Sequence, residues 1–310
     1  MRILLTGKDG QVGWELQRAL APLGLVGAYG RDGLDLRDLK RVRALVRAFA
    51  PDVIVNAGAY TAVDQAEDEP DVADQVNGLA PGVLAEEAAA RRALLIHYST
   101  DYVFDGTSQR PYTEEDATGP LGAYGRSKLL GEAAIAASGA QALILRTAWV
   151  YATRGRNFLR TIQRFACERE EVAVVDDQRG APTWARMIAE ATAAVLAELQ
   201  APARLEVLSG AQRCRIYHLT CAGETSWYGF ASAIIDRMRG EQDGRRLATL
   251  RSIPTWRYPT KAVRPRYSVL SNARIEREFG VVLPRWEEAL DLCLGDEIAG
   301  RSDGSPRHDQ

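Results

Sequence analysis

Tyr124 and Lys128 are the residues of this 310-residue chain whose types and spacing most directly suggest chemistry. They stand four positions apart at the start of an Ala- and Leu-rich run, so on a helix both side chains fall on one face, one turn from each other. A free phenol has a pKa of about 10, and it donates a proton near neutrality only where a fixed positive charge favours the phenolate. Lys128 could be that charge. Lowering the phenol by roughly three units asks for about 4 kcal/mol of differential stabilisation, which a partly desolvated ammonium and a bound cationic ring could share. A tyrosine followed by a lysine at this spacing also arises by chance, so the elements around the pair decide what it means.

Composition narrows the classes. Lys and Arg number 39 against 41 Asp and Glu, with no basic stripe interleaved with aromatics, so nucleic acid is not an expected partner. The four cysteines form no Cys-x-x-Cys pair and the three histidines are scattered, which argues against a zinc site or a disulfide framework and for reduced thiols. The N-terminus enters a strand pattern directly and no run of 18 apolar residues occurs. The expectation is a cytoplasmic protein with no membrane partner.

The elements that must position the pair can be read in chain order. Arg2-Ile3-Leu4-Leu5-Thr6 is a short buried strand, followed by Gly7-Lys8-Asp9-Gly10-Gln11-Val12-Gly13 and an amphipathic helix over 14–23. A glycine-rich turn between strand and helix suits phosphate, because the backbone can approach closely and the helix start offers free N–H groups. The spacing Gly-x-x-Gly-x-x-Gly is one residue longer than the usual dinucleotide fingerprint, and an ordinary glycine turn is the other reading. A second strand over 25–29 ends in Gly30-Arg31-Asp32. An acid at that tip would hold a ribose 2′-hydroxyl and an arginine a 2′-phosphate, so Arg31 leans toward NADPH while Asp32 keeps NADH open. Asp35-Leu36, ahead of a helix over 39–49, could reach an adenine or be an N-cap and a core residue.

A strand over 51–56 leads to the small residues Ala57-Gly58-Ala59, against which a cofactor could lie, and then to Tyr60 and Thr61. A long helix carrying Asn77 runs to about Arg92, bent near Pro81. The strand over 93–97 delivers Tyr98, Ser99, Thr100, Asp101 and Tyr102 at its carboxyl end, where open parallel sheets keep their ligands. Thr100 could bind a substrate carbonyl there or be a plain β-branched strand residue. Later elements are a helix over 157–168, a strand over 172–175, a helix over 184–199, a variable loop over 201–215 and a strand over 217–220. Ser226 caps a helix over 227–238, the segment 253–268 should fold over the nucleotide, and helices over 272–279 and 286–294 follow. The expected fold is α/β, a Rossmann-like doubly wound parallel sheet with a smaller, discontinuous C-terminal substrate domain. Residues 1–152, with pieces returning near 176–225, form the nucleotide domain, 153–175 and 226–299 the substrate domain, and 300–310 a disordered tail.

Six blocks carry a family resemblance: Gly-Lys-Asp-Gly-Gln-Val-Gly-Trp-Glu-Leu at 7–16, Asn-Ala-Gly-Ala-Tyr-Thr-Ala-Val-Asp at 56–64 and Ser-Thr-Asp-Tyr-Val-Phe-Asp-Gly at 99–106 are the first three. Pro-Leu-Gly-Ala-Tyr-Gly-Arg-Ser-Lys at 120–128, Arg-Thr-Ala-Trp-Val-Tyr at 146–151 and Asp-Asp-Gln-Arg-Gly-Ala-Pro-Thr at 176–183 complete it. In this order they resemble the extended short-chain dehydrogenase/reductase superfamily and, within it, the dTDP-4-dehydrorhamnose reductases. The resemblance implies NAD(P)H-dependent reduction of a dTDP-linked 4-keto-6-deoxyhexose, in the making of dTDP-L-rhamnose for cell-surface polysaccharide. It implies Thr100, Tyr124 and Lys128 as catalytic residues, with Tyr124 as proton donor, Lys128 tuning it and holding the nicotinamide ribose, and Thr100 polarising the carbonyl. Gly10, Gln11, Val12, Asp35, Leu36, Ala59, Tyr60, Thr61 and Tyr98 match cofactor-lining positions, beside Gly7, Arg31 and Ala57 from the residue reading. Thr100, Asp101 and Trp149 match positions that meet the sugar nucleotide, with Tyr102 next to them.

Two residues depart from the family pattern: Gly58 stands where alanine is expected, and Tyr267 where a small polar residue is common. Some members hold Mg2+ at a dimer interface between glutamates. Glu15 sits at a matching position with Glu190 as a partner, although either could be a solvated helix residue, and a homodimer is left open. Two other classes stand beside the reductase. One is a non-catalytic NADP-binding regulator resembling the beta subunit of methionine adenosyltransferase, against which the retained Tyr124, Lys128 and Thr100 count. The other is a sugar-nucleotide dehydratase or epimerase, but dehydratases place a Glu after the Thr-Asp pair where this chain has Tyr102.

Overall fold

Parallel strands buried on both faces are near-continuous apolar runs, and two of this chain's runs, β3 (Val53–Asn56) and β4 (Leu94–Thr100), are buried at every residue. The computed structural model describes residues 1–200, 213–241 and 246–302. In it these two strands join β1 (Arg2–Thr6), β2 (Leu25–Tyr29), β5 (Gln141–Thr147) and β10 (Cys214–His218) in one six-stranded sheet. The order is β10-β5-β4-β3-β1-β2 and every pairing is parallel. Strand order reverses between β1 and β3, which opens a crevice at their carboxyl ends where such sheets take ligands.

Helices cover both faces. On one lie α1 (Gln11–Ala19) and α7 (Ala185–Glu198), which pack together over Ile3, Leu5, Val55 and Ile96. On the other α2 (Leu39–Phe49), α4 (Ala80–Arg91) and α5 (Ala123–Ala137) pack in turn over Leu4, Ile54, Leu95 and Ile144. A short α3 (Pro70–Asp74) passes into α4 through a π-helical turn, Gln75–Leu79. The expected bend at Pro81 is therefore this wide turn upstream. Pro81 lies in the first turn of α4, where its missing N–H is tolerated, and it cannot serve the carbonyl of Asn77 four residues back.

The smaller part is built from segments far apart in the chain. β7 (Glu171–Val175) pairs in parallel with β12 (Thr249–Ile253), β8 (Arg179–Gly180) pairs antiparallel with β11 (Thr225–Ser226), and β6 (Val150–Tyr151) pairs with β9 (Thr183–Trp184). α6 (Phe158–Glu168) and α8 (Trp227–Glu241) pack on each other, α9 (Ala273–Phe279) lies against β10, and α10 (Trp286–Ser302) lies against β9.

Several boundaries differ from expectation. α1 starts at Gln11, three residues early, because Gly10 adopts the extended N-cap conformation at φ −71 and ψ 167. β4 runs on to Thr100 because Tyr98, Ser99 and Thr100 pair with Leu145, Arg146 and Thr147. β10 starts at Cys214, inside the expected loop, and residues 201–212 of that loop lie outside the described residues. α10 extends to Ser302, so 300–302 are helical, while 303–310 of the expected disordered tail lie outside the described residues.

One buried ion pair ties α5 to the sheet below the strand ends. Glu132 receives Arg146 at 2.6 and 2.9 Å and Ser99 Oγ at 2.5 Å, with both charged side chains under 5 % exposed. Removing one partner would leave the other charge buried and uncompensated. Glu132→Ala is therefore expected to lower the unfolding free energy by about 3–5 kcal/mol, read from urea denaturation.

Candidate active site

α5 is brought close to the turn after β4 and to the π turn by residues without side chains. A Cβ at Gly125 would stand 2.3 Å from the carbonyl oxygen of Tyr102, and one at Gly131 would stand 2.1 Å from that of Asn77. Asn77, in the π turn, closes the joint: its amide donates to Ser127 Oγ and to the Tyr60 carbonyl at 2.9 Å, and its oxygen accepts from Tyr60 N–H at 2.8 Å. With the helix this close, Lys128 is 2 % exposed and its Nζ lies 2.6 Å from the carbonyl oxygen of Tyr98 and 3.2 Å from His97 Nε2. Burial lowers the lysine to about 8, Glu132 one turn on opposing that.

One turn before Lys128, half-buried Tyr124 has its hydroxyl beside Thr100. Its ring meets that of Tyr102 edge-on at 5.6 Å. Desolvation pushes the phenol up to about 12, the Thr100 hydroxyl working against it and the Asp101 charge with it. Burial therefore raises the phenol here rather than lowering it, and the lysine's nitrogen is engaged by Tyr98 and His97. Asp101 is 1 % exposed; Oδ1 accepts from Thr100 Oγ1 at 3.0 Å, and Oδ2 has no hydrogen-bond partner. Burial raises this carboxyl to about 6. Above these groups the segment 254–268 is held by Lys261 on Asp68 and by Arg264 on Asp64 at 2.7 Å.

The glycine turn forms the neighbouring crevice. Gly7 sits at φ +74, and a Cβ there would lie 2.5 Å from the backbone nitrogen of Gly58, so only glycine lets the β1 and β3 loops meet. Gly10 caps α1 with no side-chain bond, which leaves first-turn N–H groups open to an anion. The arrangement offers a phosphate cradle beside a phenol, a hydroxyl, a buried amine and a buried carboxyl.

Comparison with known proteins decides the family. The RmlD substrate binding domain family matches residues 1–298. The chain is 52 % identical to a dTDP-4-dehydrorhamnose reductase of Burkholderia thailandensis, over 96 % of this chain and 100 % of that protein. The chain belongs to the dTDP-4-dehydrorhamnose reductase family. A member from Escherichia coli K12 is 44 % identical over 96 % of this chain and 98 % of its own length. Among solved structures, one from Clostridium acetobutylicum superposes with a TM-score of 0.85 at 34 % identity, covering 95 % of this chain and 99 % of that one. Another, from Bacillus anthracis in complex with NADP, gives 0.83 at 30 % identity with the same coverage.

The residues expected from the family pattern fall into three groups. Thr100, Asp101, Tyr102, Tyr124 and Lys128 gather at the ends of β4 and α5, and Gly7, Gly10, Gln11, Val12, Ala57 and Ala59 gather at the crevice. Leu36 is buried and would be 2.7 Å from a Cβ on Gly58, so the glycine found in place of alanine gives Leu36 its room. Arg31 and Thr61 are exposed, the Asp35 carboxylate is taken by Arg37 at 2.6 Å, and Tyr60 bonds Glu69 at 2.9 Å. Tyr98 differs most: its ring is in the core and its hydroxyl bonds Thr192 at 2.7 Å, because alternation along the longer β4 turns residues 94, 96 and 98 toward α7. Its carbonyl, not its ring, reaches the site.

Trp149 takes φ +46 and lies flat on Trp227 at 3.5 Å, with Gly180 under its edge. Glu15, one of the two acids expected at a Mg2+ position, pairs with Arg186 at 3.2 Å, and the same guanidinium bonds Asp296. Among the described residues no group of three or more His, Cys, Asp or Glu is placed to hold a metal. Tyr267, in place of a small polar residue, donates to Glu224 at 2.9 Å. His97 and the Arg264–Asp64 pair went unread in the sequence; a lone histidine inside an apolar strand was the available signal for the first.

Asp101 yields a pH test. Its folded value near 6 lies above the ordinary 3.8, so folding favours the protonated form. That contribution is complete below the unfolded value and lost as pH rises through the folded one. A difference of about two units corresponds to about 3 kcal/mol. Asp101→Asn is expected to raise stability at neutral pH by up to about that amount and to flatten the decline between about pH 4 and about pH 7, measured by urea midpoints across that window.

Proposed function

We propose that this chain reduces the 4-keto group of dTDP-4-dehydro-β-L-rhamnose to dTDP-L-rhamnose with NADPH, as its 52 % identity to a named reductase supports. The observation that carries the reading is the Tyr124 hydroxyl beside Thr100, one helical turn from buried Lys128, at the mouth of a glycine-lined crevice. The residues fit a dinucleotide: Gly7 forms a cradle that a Cβ would fill, and the start of α1 offers its N–H groups to a pyrophosphate. NADPH, when bound, supplies the hydride that goes to the sugar's carbonyl carbon. Tyr124 gives its proton to the carbonyl oxygen, and Thr100, beside that phenol, orients it. The raised phenol keeps the donor protonated over the whole neutral range. Lys128 holds the nicotinamide ribose, and Asp101 and Tyr102 line the sugar's side of the site. The NADP complex of the Bacillus anthracis relative and exposed Arg31 at the tip of β2 support NADPH, and a reaction between a nucleotide sugar and NADPH supports a cytoplasmic setting.

The decisive measurement is NADPH oxidation with the dTDP-4-keto sugar. Tyr124→Phe should keep fold and NADPH affinity and lose about 10²–10⁴-fold in turnover, and the wild-type rate should fall at high pH as the site loses its proton-donating form. A wild-type protein that binds NADPH and consumes none would point to the regulator instead. For the cofactor, NADPH should bind at least as tightly as NADH, with Arg31→Ala removing most of any difference. Fluorescence titration of both cofactors checks it, and tighter NADH binding by the unmutated chain would sink the preference.

A further inference from the structure

Four polar side chains cross the apolar sheet at one level. Thr6, Asn56 and His97 are direct neighbours in register on β1, β3 and β4, and all face the α5 side, where Lys128 comes down on them. All four are at most 2 % exposed. Buried polar groups persist only with their partners satisfied, so the hydrogens can be counted along the row. Gly58 N–H donates to Thr6 Oγ1 at 3.4 Å, and Thr6 O–H donates to Asn56 Oδ1 at 2.6 Å. Asn56 Nδ2 then faces His97 Nδ1 at 3.0 Å, which must accept. A neutral imidazole that accepts at Nδ1 carries its proton on Nε2, and Nε2 faces Lys128 Nζ at 3.2 Å. An N–H there can be accepted only by an uncharged amine, which in turn donates to the Tyr98 carbonyl at 2.6 Å. Turning the Asn56 amide over would reverse the row and present a bare Nε2 to an ammonium. It would also leave the Thr6 hydroxyl proton with no acceptor among the described residues.

We propose that Thr6, Asn56 and His97 form a one-way hydrogen-bond ladder that presents Lys128 with a donor, which makes His97 a positioning residue that holds the lysine as an amine until the ladder reverses. The proposal rests on the reductase reading for its meaning in turnover, though not for its existence. The ladder starts at Thr6, directly before the glycine turn, and ends at the lysine assigned to the ribose, so a nucleotide in the crevice lies against both of its ends. The charges that bear on the pair are those of Glu132 of α5, itself bonded to Arg146 of β5, while burial keeps His97 neutral. Asp101, after β4, acts on Tyr124.

The test is ¹⁵N NMR of the histidines, assigned by the signal lost in His97→Gln, together with the pH profile of kcat/KM. Wild-type His97 should be the Nε2–H tautomer. Asn56→Asp offers only acceptors, so it should switch His97 to Nδ1–H and move the alkaline limb of the profile up by about one pH unit, on the scale of one hydrogen bond to a charged group. Thr6→Val removes the hydroxyl that fixes the amide and should give a mixture of tautomers without any new charge. An Nδ1–H tautomer in the wild type overturns the ladder, as does a switched tautomer with an unmoved limb. The tautomer is read without substrate, so an inactive protein with the expected tautomer would refute the reductase reading and leave the ladder standing.

Discussion

The bond from Lys128 Nζ to the carbonyl oxygen of Tyr98, 2.6 Å long and sealed from water, fixes how α5 lies on β4. A lysine can reach a strand carbonyl in the interior only if the helix backbone comes close. That closeness is bought by Gly125 against Tyr102 and Gly131 against Asn77. The π turn follows from the same demand, since it places the Asn77 amide where it can hold Ser127 and Tyr60 together. Tyr124, one turn earlier, is then left beside Thr100 at the strand's end, where a substrate can meet it.

The same packing explains why so many charged groups are buried near the strand ends. Glu132 and Arg146 neutralise each other, and the guanidinium also lies over the Phe104 ring at 5.1 Å. Asp101 has no such cation; its Oδ2 is unpartnered and its carboxyl is pushed up to about 6. A pair that compensates itself serves the fold, whereas an uncompensated group lowers stability and persists where a site uses it.

The sheet was legible in the sequence because its strands are continuous apolar runs separated by glycine turns, and the Tyr124–Lys128 spacing was legible because a helix repeats locally. Tyr98 was read as a cofactor-lining position, and the facing of its ring was not legible because the pairing that carries β4 on to Thr100 is set by β5 rather than by β4's own residues. The row from Thr6 to His97 was invisible for a stronger reason. It joins residues 50 and 41 positions apart through strand register, which no local pattern records. The ion pair of Asp64 with Arg264, 200 positions apart, is another case of the kind.

Taken as sequence, Tyr124 and Lys128 suggest an acid with a cation beside it to lower its pKa. The structure divides those roles differently. The phenol is raised to about 12 by burial while the lysine falls to about 8, so burial drives apart two groups whose ordinary values nearly coincide. A phenol that stays protonated is a secure donor at neutral pH, and an amine that titrates near neutrality can carry a proton either way. Lys128 then does more than present a fixed charge. Its protonation follows what the buried row offers it, and the histidine at the end of that row is where the sheet interior and the reacting edge of the molecule are in contact.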